Sequence, residues 1–160
     1  MSGPLTGYRV VDLTTMVSGP VATMMLADQG ADVIKVEPPG GEYMRKTGVK
    51  HKGMPSGFLS CNRNKRSLSV DLKRPGGLEV VKKLVATADV LVQNFRPGAI
   101  ERMGLGEDVV RSLQPKIIFV SISGFGEAGP YSKQRVYDPI IQAVSGLADI
   151  QRDRETGQPR

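Results

Sequence analysis

"YRVVDLTTMVSGPVATMMLADQGADVIKVE", residues 8–37, decides the fold. Residues 8–14 are an almost unbroken β-branched and apolar run, the pattern of a strand covered on both faces. Residues 19–30 then read as a helix, with Pro20 where a first-turn proline is tolerated and Gly30 as the C-terminal stop. Residues 31–37 form a second buried strand, ended by Pro38-Pro39-Gly40-Gly41. Two strands joined through one helix make a βαβ unit, which predicts parallel pairing and a right-handed crossover.

The same alternation continues outward. Residues 38–65 are a long polar segment without sustained periodicity, expected to be a flexible loop. "RSLSVDL" (66–72) alternates as a third strand, and residues 74–88 follow as a helix with Leu78, Val81, Leu84 and Val85 on one face. "DVLVQNF" (89–95) is a fourth strand, and "PGAIERMG" and "GEDVVRSLQ" are two short helical pieces. "KIIFVSISGFG" (116–126) is a fifth strand. Residues 136–150 are expected to be a helix preceded by an extended pair, because Pro139 disfavours helical angles at Asp138. The implied class is α/β: a Rossmann-like open, mainly parallel sheet with helices on both faces, in a single domain over 1–160.

Composition limits the function. One cysteine, Cys61, excludes an internal disulfide framework and a cysteine cluster for metal. The lone His51 has no partner for a triad or zinc site, so no metal site is expected. No run approaches the length of about 18 apolar residues that a membrane helix needs, and the N-terminus lacks a signal-peptide layout. A cytoplasmic location without membrane association is the expectation. The net charge is +6, with six basic and five acidic groups in residues 1–60 and sixteen and eleven in 61–160. A local excess of this kind suits a polyanion such as nucleic acid or a phosphorylated small molecule. With 5% aromatic residues, a single-strand stacking platform is disfavoured and no nucleic-acid partner is expected.

In an open α/β sheet, ligands gather beyond the C-terminal strand ends. Those ends read "DLTTMVSGP", "KVEPPGGEYMR", "VDLKRPG", "VQNFRPG" and "ISGFGEAGPY". Neither a GxGxxG fingerprint nor a P-loop is present. The turn before residue 19 still offers free N–H groups at a helix start, which favour anionic or carbonyl oxygens. Lys73, Arg96, Arg102 and Arg135 lie near different strand ends, and Phe95 could flank a flat ring. A flat ring with distributed phosphates describes an adenine nucleotide or coenzyme A. Plain surface charges are the alternative reading of these cations.

The segments "VVDLTTMVSGPVATMMLADQGADVIKVEPPGGEYMR", "NRNKRSLSVDLKRPGG", "DVLVQNFRPGAIERMGLG" and "SISGFGEAGPYSKQRVYDPIIQAVSGL" also resemble, in order, the N-terminal half of the class III CoA-transferases, the CaiB/BaiF family. The resemblance runs over nearly all of residues 8–149. It implies CoA contacts at Val17 and Ser18, largely through backbone. Val70, Asp71, Leu72 and Lys73 would lie along adenine and phosphates. Asn94, Phe95 and Arg96 match an adenine-side motif, and Arg102 a phosphate-binding arginine. Arg135, Tyr137 and Asp138 would border the pantetheine and the reaction centre, with Tyr137 and Asp138 supporting catalysis. Pro38 stands where some members have an arginine, which leaves one phosphate contact in doubt.

Such transferases use a nucleophilic aspartate to move CoA from an acyl-CoA thioester to a carboxylic acid. That aspartate follows the "YDPIIQAVSGL" motif at a distance that Asp149 and Asp153 are too close to match. The nucleophile is therefore expected beyond residue 160, and the chain to be an N-terminal portion that is inactive alone. The resemblance further implies acyl-CoA as substrate rather than a tightly bound cofactor, and an interlocked homodimer at full length. The racemase branch carries a histidine directly before the aspartate matching Asp138. Here that position is Tyr137, which favours transfer over α-proton exchange. A non-catalytic CoA- or nucleotide-binding module is the remaining alternative. Asp138 could also simply cap the helix that follows, and Tyr137 be an ordinary half-buried tyrosine.

Overall fold

The computed structural model describes residues 2–158. The opening βαβ unit forms as its sequence predicts, with β1 at Arg9–Asp12, α1 at Ser18–Asp28 and β2 at Asp32–Glu37. Gly30 follows α1 at φ 99°, the left-handed angle that ends a helix at little cost for glycine. Segment 38–65 is more structured than a loop. It holds a 3-10 turn at Tyr43–Arg45, a hairpin of β3 (Lys50–His51) and β4 (Met54–Pro55), and the helix α2 (Ser56–Asn62). The helix packs on α1 and buries Phe58 and Cys61. Two turns of a Ser- and Gly-containing helix are too short to show as apolar periodicity.

Beyond it come β5 (Arg66–Ser69), α3 (Pro75–Val85) and β6 (Val90–Gln93). The short helices α4 (Ala99–Arg102) and α5 (Glu107–Leu113) lead to β7 (Ile118–Ser121). The strands are shorter than their apolar runs suggest, because each chain leaves the sheet where its neighbour ends. Residue 70 makes one last hydrogen bond, from its N–H to the Glu37 carbonyl at 2.8 Å, and the chain then turns away. After an extended Tyr137 come α6 (Asp138–Val144) and α7 (Leu147–Ile150). Gly146, at φ 80°, breaks the single helix expected over 136–150 into these two.

The main sheet has the order β5-β2-β1-β6-β7 and is parallel throughout. This is the expected Rossmann-like α/β arrangement. One apolar layer joins Val11, Leu13 and Leu91 of the sheet region to Val81 and Val85 of α3 and Val110 of α5. The other joins Val10, Val33 and Val92 to Ala27 of α1. Period-2 alternation along β1 and β2 feeds the two layers alternately. From β1 the chain builds outward to β2 and β5, then returns to place β6 on the other side of β1. The exit of β1 is therefore the point where strand order reverses.

By contact density the chain divides into two compact units, 1–122 and 123–160. The sequence reading, which treats 1–160 as one domain, does not make that division. The first unit holds the sheet. The second holds α6, α7 and a pair of tilted rings, Phe125 and Tyr131, with centroids 5.5 Å apart. None of its described residues is buried.

Candidate ligand cavity at the strand ends

A cavity of about 570 Å³ opens beyond the C-terminal ends of β1, β2, β5 and β6. That size lies within the ~300–1,000 Å³ typical of small-molecule sites. Leu13 and Thr15 enter its wall from the β1 exit, and Val36 and Pro38 from the β2 exit. Residues 70–75, after β5, supply the longest stretch of lining. Phe95 follows β6, and Arg102 and Met103 come from the end of α4.

The wall is built by local hydrogen bonds. The Asp71 carboxylate accepts the Lys73 N–H at 3.0 Å and lies 3.6 Å from the Arg74 guanidinium. Gly77 lets α3 approach this segment closely, since a Cβ there would stand 2.1 Å from the Asp71 carbonyl oxygen. Phe95 is half-buried against the α3-side core, and its N–H donates to Gln93 Oε1 at 2.8 Å. Gln93 in turn donates to Ser121 Oγ at 2.6 Å. Lys73 and Arg102 are exposed and make no ion pair with any described residue. Their charges remain available to an anionic ligand.

Six of the sequence-predicted site residues therefore line one cavity: Val70, Asp71, Leu72, Lys73, Phe95 and Arg102. Val17 and Ser18 sit at the start of α1, both exposed, outside the lining. Arg96 is exposed and also outside it. Asn94 is engaged elsewhere. Its Oδ1 accepts the Thr15 N–H at 2.9 Å and its Nδ2 donates to the Thr15 carbonyl at 2.8 Å. Arg135, Tyr137 and Asp138 belong to the second unit and are exposed. Tyr137, at 68% exposure, does not fit the alternative reading of an ordinary half-buried tyrosine. Asp138 does not cap α6 through its side chain; its Oδ2 accepts from Gln142 one turn on.

A buried ionic network borders the cavity on the α1 side, and sequence reasoning missed it. It comprises the carboxylates of Asp12, Glu37 and Glu42 and the cations of Lys35, Arg45 and Lys65. Asp12 and Lys35 are register partners in β1 and β2. Asp12 accepts from the Thr14 N–H (2.9 Å), the Thr23 hydroxyl (2.8 Å) and Lys65 Nζ (2.9 Å). Lys65 also donates to the Pro20 carbonyl and Asn62 Oδ1, both at 2.8 Å. Burial lowers the Lys65 ammonium's pKa, and the Asp12 charge partly offsets that. Arg45 grips Glu37 through two hydrogen bonds, at 2.6 and 2.7 Å, with its guanidinium 3.8 Å from the centroid of the Phe58 ring. Burial alone would raise the Glu37 carboxyl, but hydrogen bonds from Arg45, the Glu42 N–H and Ser67 outweigh it and hold the group below the usual range. The signal in the sequence was a lysine inside the apolar run "DVIKVE".

Comparison with known proteins decides the family. The sequence matches the model of CoA-transferase family III over residues 5–160. The chain belongs to that family. Across 98% of its length this family III chain is 46% identical to the human succinyl-CoA:glutarate CoA-transferase. It is 43% identical, over 92% of its length, to formyl-CoA:oxalate CoA-transferase of Escherichia coli. It spans 36% of the length of each of these relatives. A CaiB/BaiF family protein from Brucella suis superposes on it with a TM-score of 0.93 at 38% identity, covering all of this chain and 43% of its own. The resemblance carried by the four quoted segments is thus borne out. Among the described residues, no helix of this family III chain is long and apolar enough to cross a membrane.

Proposed function

We propose that this chain forms the CoA-binding part of an enzyme that moves CoA from an acyl-CoA thioester to a free carboxylic acid. One observation carries the reading. In a family III chain, the cavity at the strand-order reversal gathers segment 70–73, Phe95 and the exposed Arg102 in one wall. Lys73 and Arg102 hold phosphates, and Phe95 with the aliphatic lining flanks the adenine ring. The backbone of Val17 and Ser18 meets the ligand from the start of α1. Tyr137 and Asp138 support the reaction centre. A tyrosine before Asp138, in place of the racemase histidine, favours transfer.

The nucleophile in this scheme is an aspartate C-terminal to residue 160. Its carboxylate attacks the thioester carbonyl and expels the CoA thiolate, leaving a mixed anhydride. The thiolate then attacks the aspartyl carbonyl, releasing the first acid and forming an aspartyl-CoA thioester. A second carboxylate attacks that thioester, and the returning thiolate takes the new acyl group and frees the aspartate. CoA is retained throughout, which is why a cavity that grips its nucleotide end serves the chemistry. The resemblance also supports an interlocked homodimer at full length.

Calorimetric titration with CoA tests the binding half. The 160-residue chain is expected to bind, and Arg102→Ala to weaken binding roughly tenfold or more, the scale of one charge-assisted contact. No binding at millimolar CoA overturns the proposal. An acyl-CoA-to-acid transfer assay on the chain extended downstream tests the other half. Binding without transfer would leave a CoA-binding module and refute the enzyme reading.

A further inference from the structure

The turn that carries Thr15 into the cavity wall is held by three side chains. Lys35 Nζ donates to the Thr14 carbonyl at 2.9 Å. The Asn94 amide closes a two-point grip on Thr15, accepting its N–H and donating to its carbonyl. Glu42 Oε2 accepts the Met16 N–H at 3.0 Å. Met16 itself is at φ 67°, a left-handed angle uncommon for a residue other than glycine. Such angles persist where surrounding contacts over-determine them. Three side chains from separate places in the chain converge on three consecutive residues. Lys35 comes from β2, Glu42 from the segment after it, and Asn94 from the exit of β6.

The components are costly to assemble. Glu42 and Lys35 are both nearly fully buried, 3.5 Å apart, and Glu42 Oε1 has no hydrogen-bond partner among the described residues. A buried carboxylate that faces its cation at 3.5 Å without a hydrogen bond does little for stability by itself. Its other oxygen is committed to the turn. Asn is also a side chain that can supply both an acceptor and a donor, here to the N–H and the carbonyl of one residue.

We propose that Asn94, with Glu42 and Lys35, positions the Thr14–Met16 turn for CoA, and that Asn94 acts through Thr15 rather than by touching the adenine. This rests on the CoA-binding reading of the cavity. The turn is pre-organised so that its wall position and the start of α1 are set before ligand arrives, which lowers the ordering cost of binding.

The test combines CoA calorimetry with residue-resolved amide exchange on the 160-residue chain. Asn94→Ala removes both part-buried hydrogen bonds to Thr15 and is expected to weaken CoA binding by roughly tenfold. It is also expected to expose the Thr15 amide to exchange while the thermal midpoint shifts little. Asn94→Asp keeps the acceptor for the Thr15 N–H but sets a carboxylate oxygen against the Thr15 carbonyl, so it is expected to restore protection at the Thr15 amide only in part. Phe95→Ala serves as the control: it weakens CoA binding and leaves Thr15 protected. Should Asn94→Ala fail to fold, Glu42→Gln probes the same turn from the other side through the Met16 amide. Weakened binding with Thr15 still protected means direct contact and overturns the inference. Exposed Thr15 with unchanged CoA affinity overturns it as well. Wild-type chain that binds no CoA defeats the underlying reading, a result separate from either exchange outcome.

Discussion

At the scale of single residues, the buried network is where a substitution has the largest effect. Lys65 and Asp12 are 2.9 Å apart, with side chains 2% and 0% exposed. Lys65→Met leaves the Asp12 carboxylate buried without its cation, and should destabilise by about 3–5 kcal/mol. Adding Asp12→Asn removes the stranded charge, so the double variant is expected to regain much of the loss in denaturant titration. A double variant no better than Lys65→Met alone would mean that Lys65 acts chiefly through Pro20 and Asn62. Glu37 gives a pH dependence with a definite sign. Its folded-state pKa lies below its unfolded value, so the stabilisation is fully present above the unfolded value and is lost as pH falls through the folded one. Denaturant midpoints should therefore fall from neutral into the acid range. Arg45→Met is expected to be less stable at neutral pH and to show a shallower acid decline. An acid slope unchanged by that substitution would contradict the assignment.

The critical contact at the scale of elements lies between α3 and the segment after β5. Gly76 and Gly77 are adjacent in sequence and opposite in surroundings. A Cβ on Gly76 would meet nothing within 4 Å, whereas one on Gly77 would collide with the Asp71 carbonyl. Gly76→Ala should be neutral or stabilising by up to about 1 kcal/mol, through the reduced freedom of the unfolded chain. Gly77→Ala must push α3 away from the cavity wall, and is expected to lower both the thermal midpoint and CoA affinity. Equal behaviour of the two variants would show that this approach is not tight in solution. Sequence periodicity found α3 and its buried face, Val81 and Val85, because an eleven-residue amphipathic helix repeats its pattern. It could not find α2, whose seven residues bury only Phe58 and Cys61.

On the scale of the whole molecule, stability should be uneven. The unit of residues 1–122 contains both apolar layers, while the described residues of 123–160 include none that is buried. Ile150 is 82% exposed, and Tyr137 and Val144 are each 68% exposed. With few apolar contacts to lose, α6 and α7 should open at low free energy. Their amides are expected to exchange well before those of β1, β2 and β6 under native conditions. Protection of α6 equal to that of β1 would refute this. Exposed apolar side chains also favour self-association, which sedimentation across a concentration series would register.

The sequence alone determined the α/β class, the order of the elements and much of the cavity wall. Apolar runs, caps and breakers are local signals, and strand exits in a parallel sheet share one edge. This is why Lys73, Phe95 and Arg102 could be picked out before their distances were known, whereas Val70, Asp71 and Leu72 were marked by the family resemblance. Tertiary structure alone decided the partners of the polar side chains. Asn94 sits beside Phe95 in a motif that suggests a ligand, yet its amide is taken by Thr15, 79 positions earlier in the chain. Asp12 and Lys65 are likewise 53 positions apart. A hydrogen bond depends on atoms brought within about 3 Å by the whole fold, and no local pattern in the chain encodes that meeting.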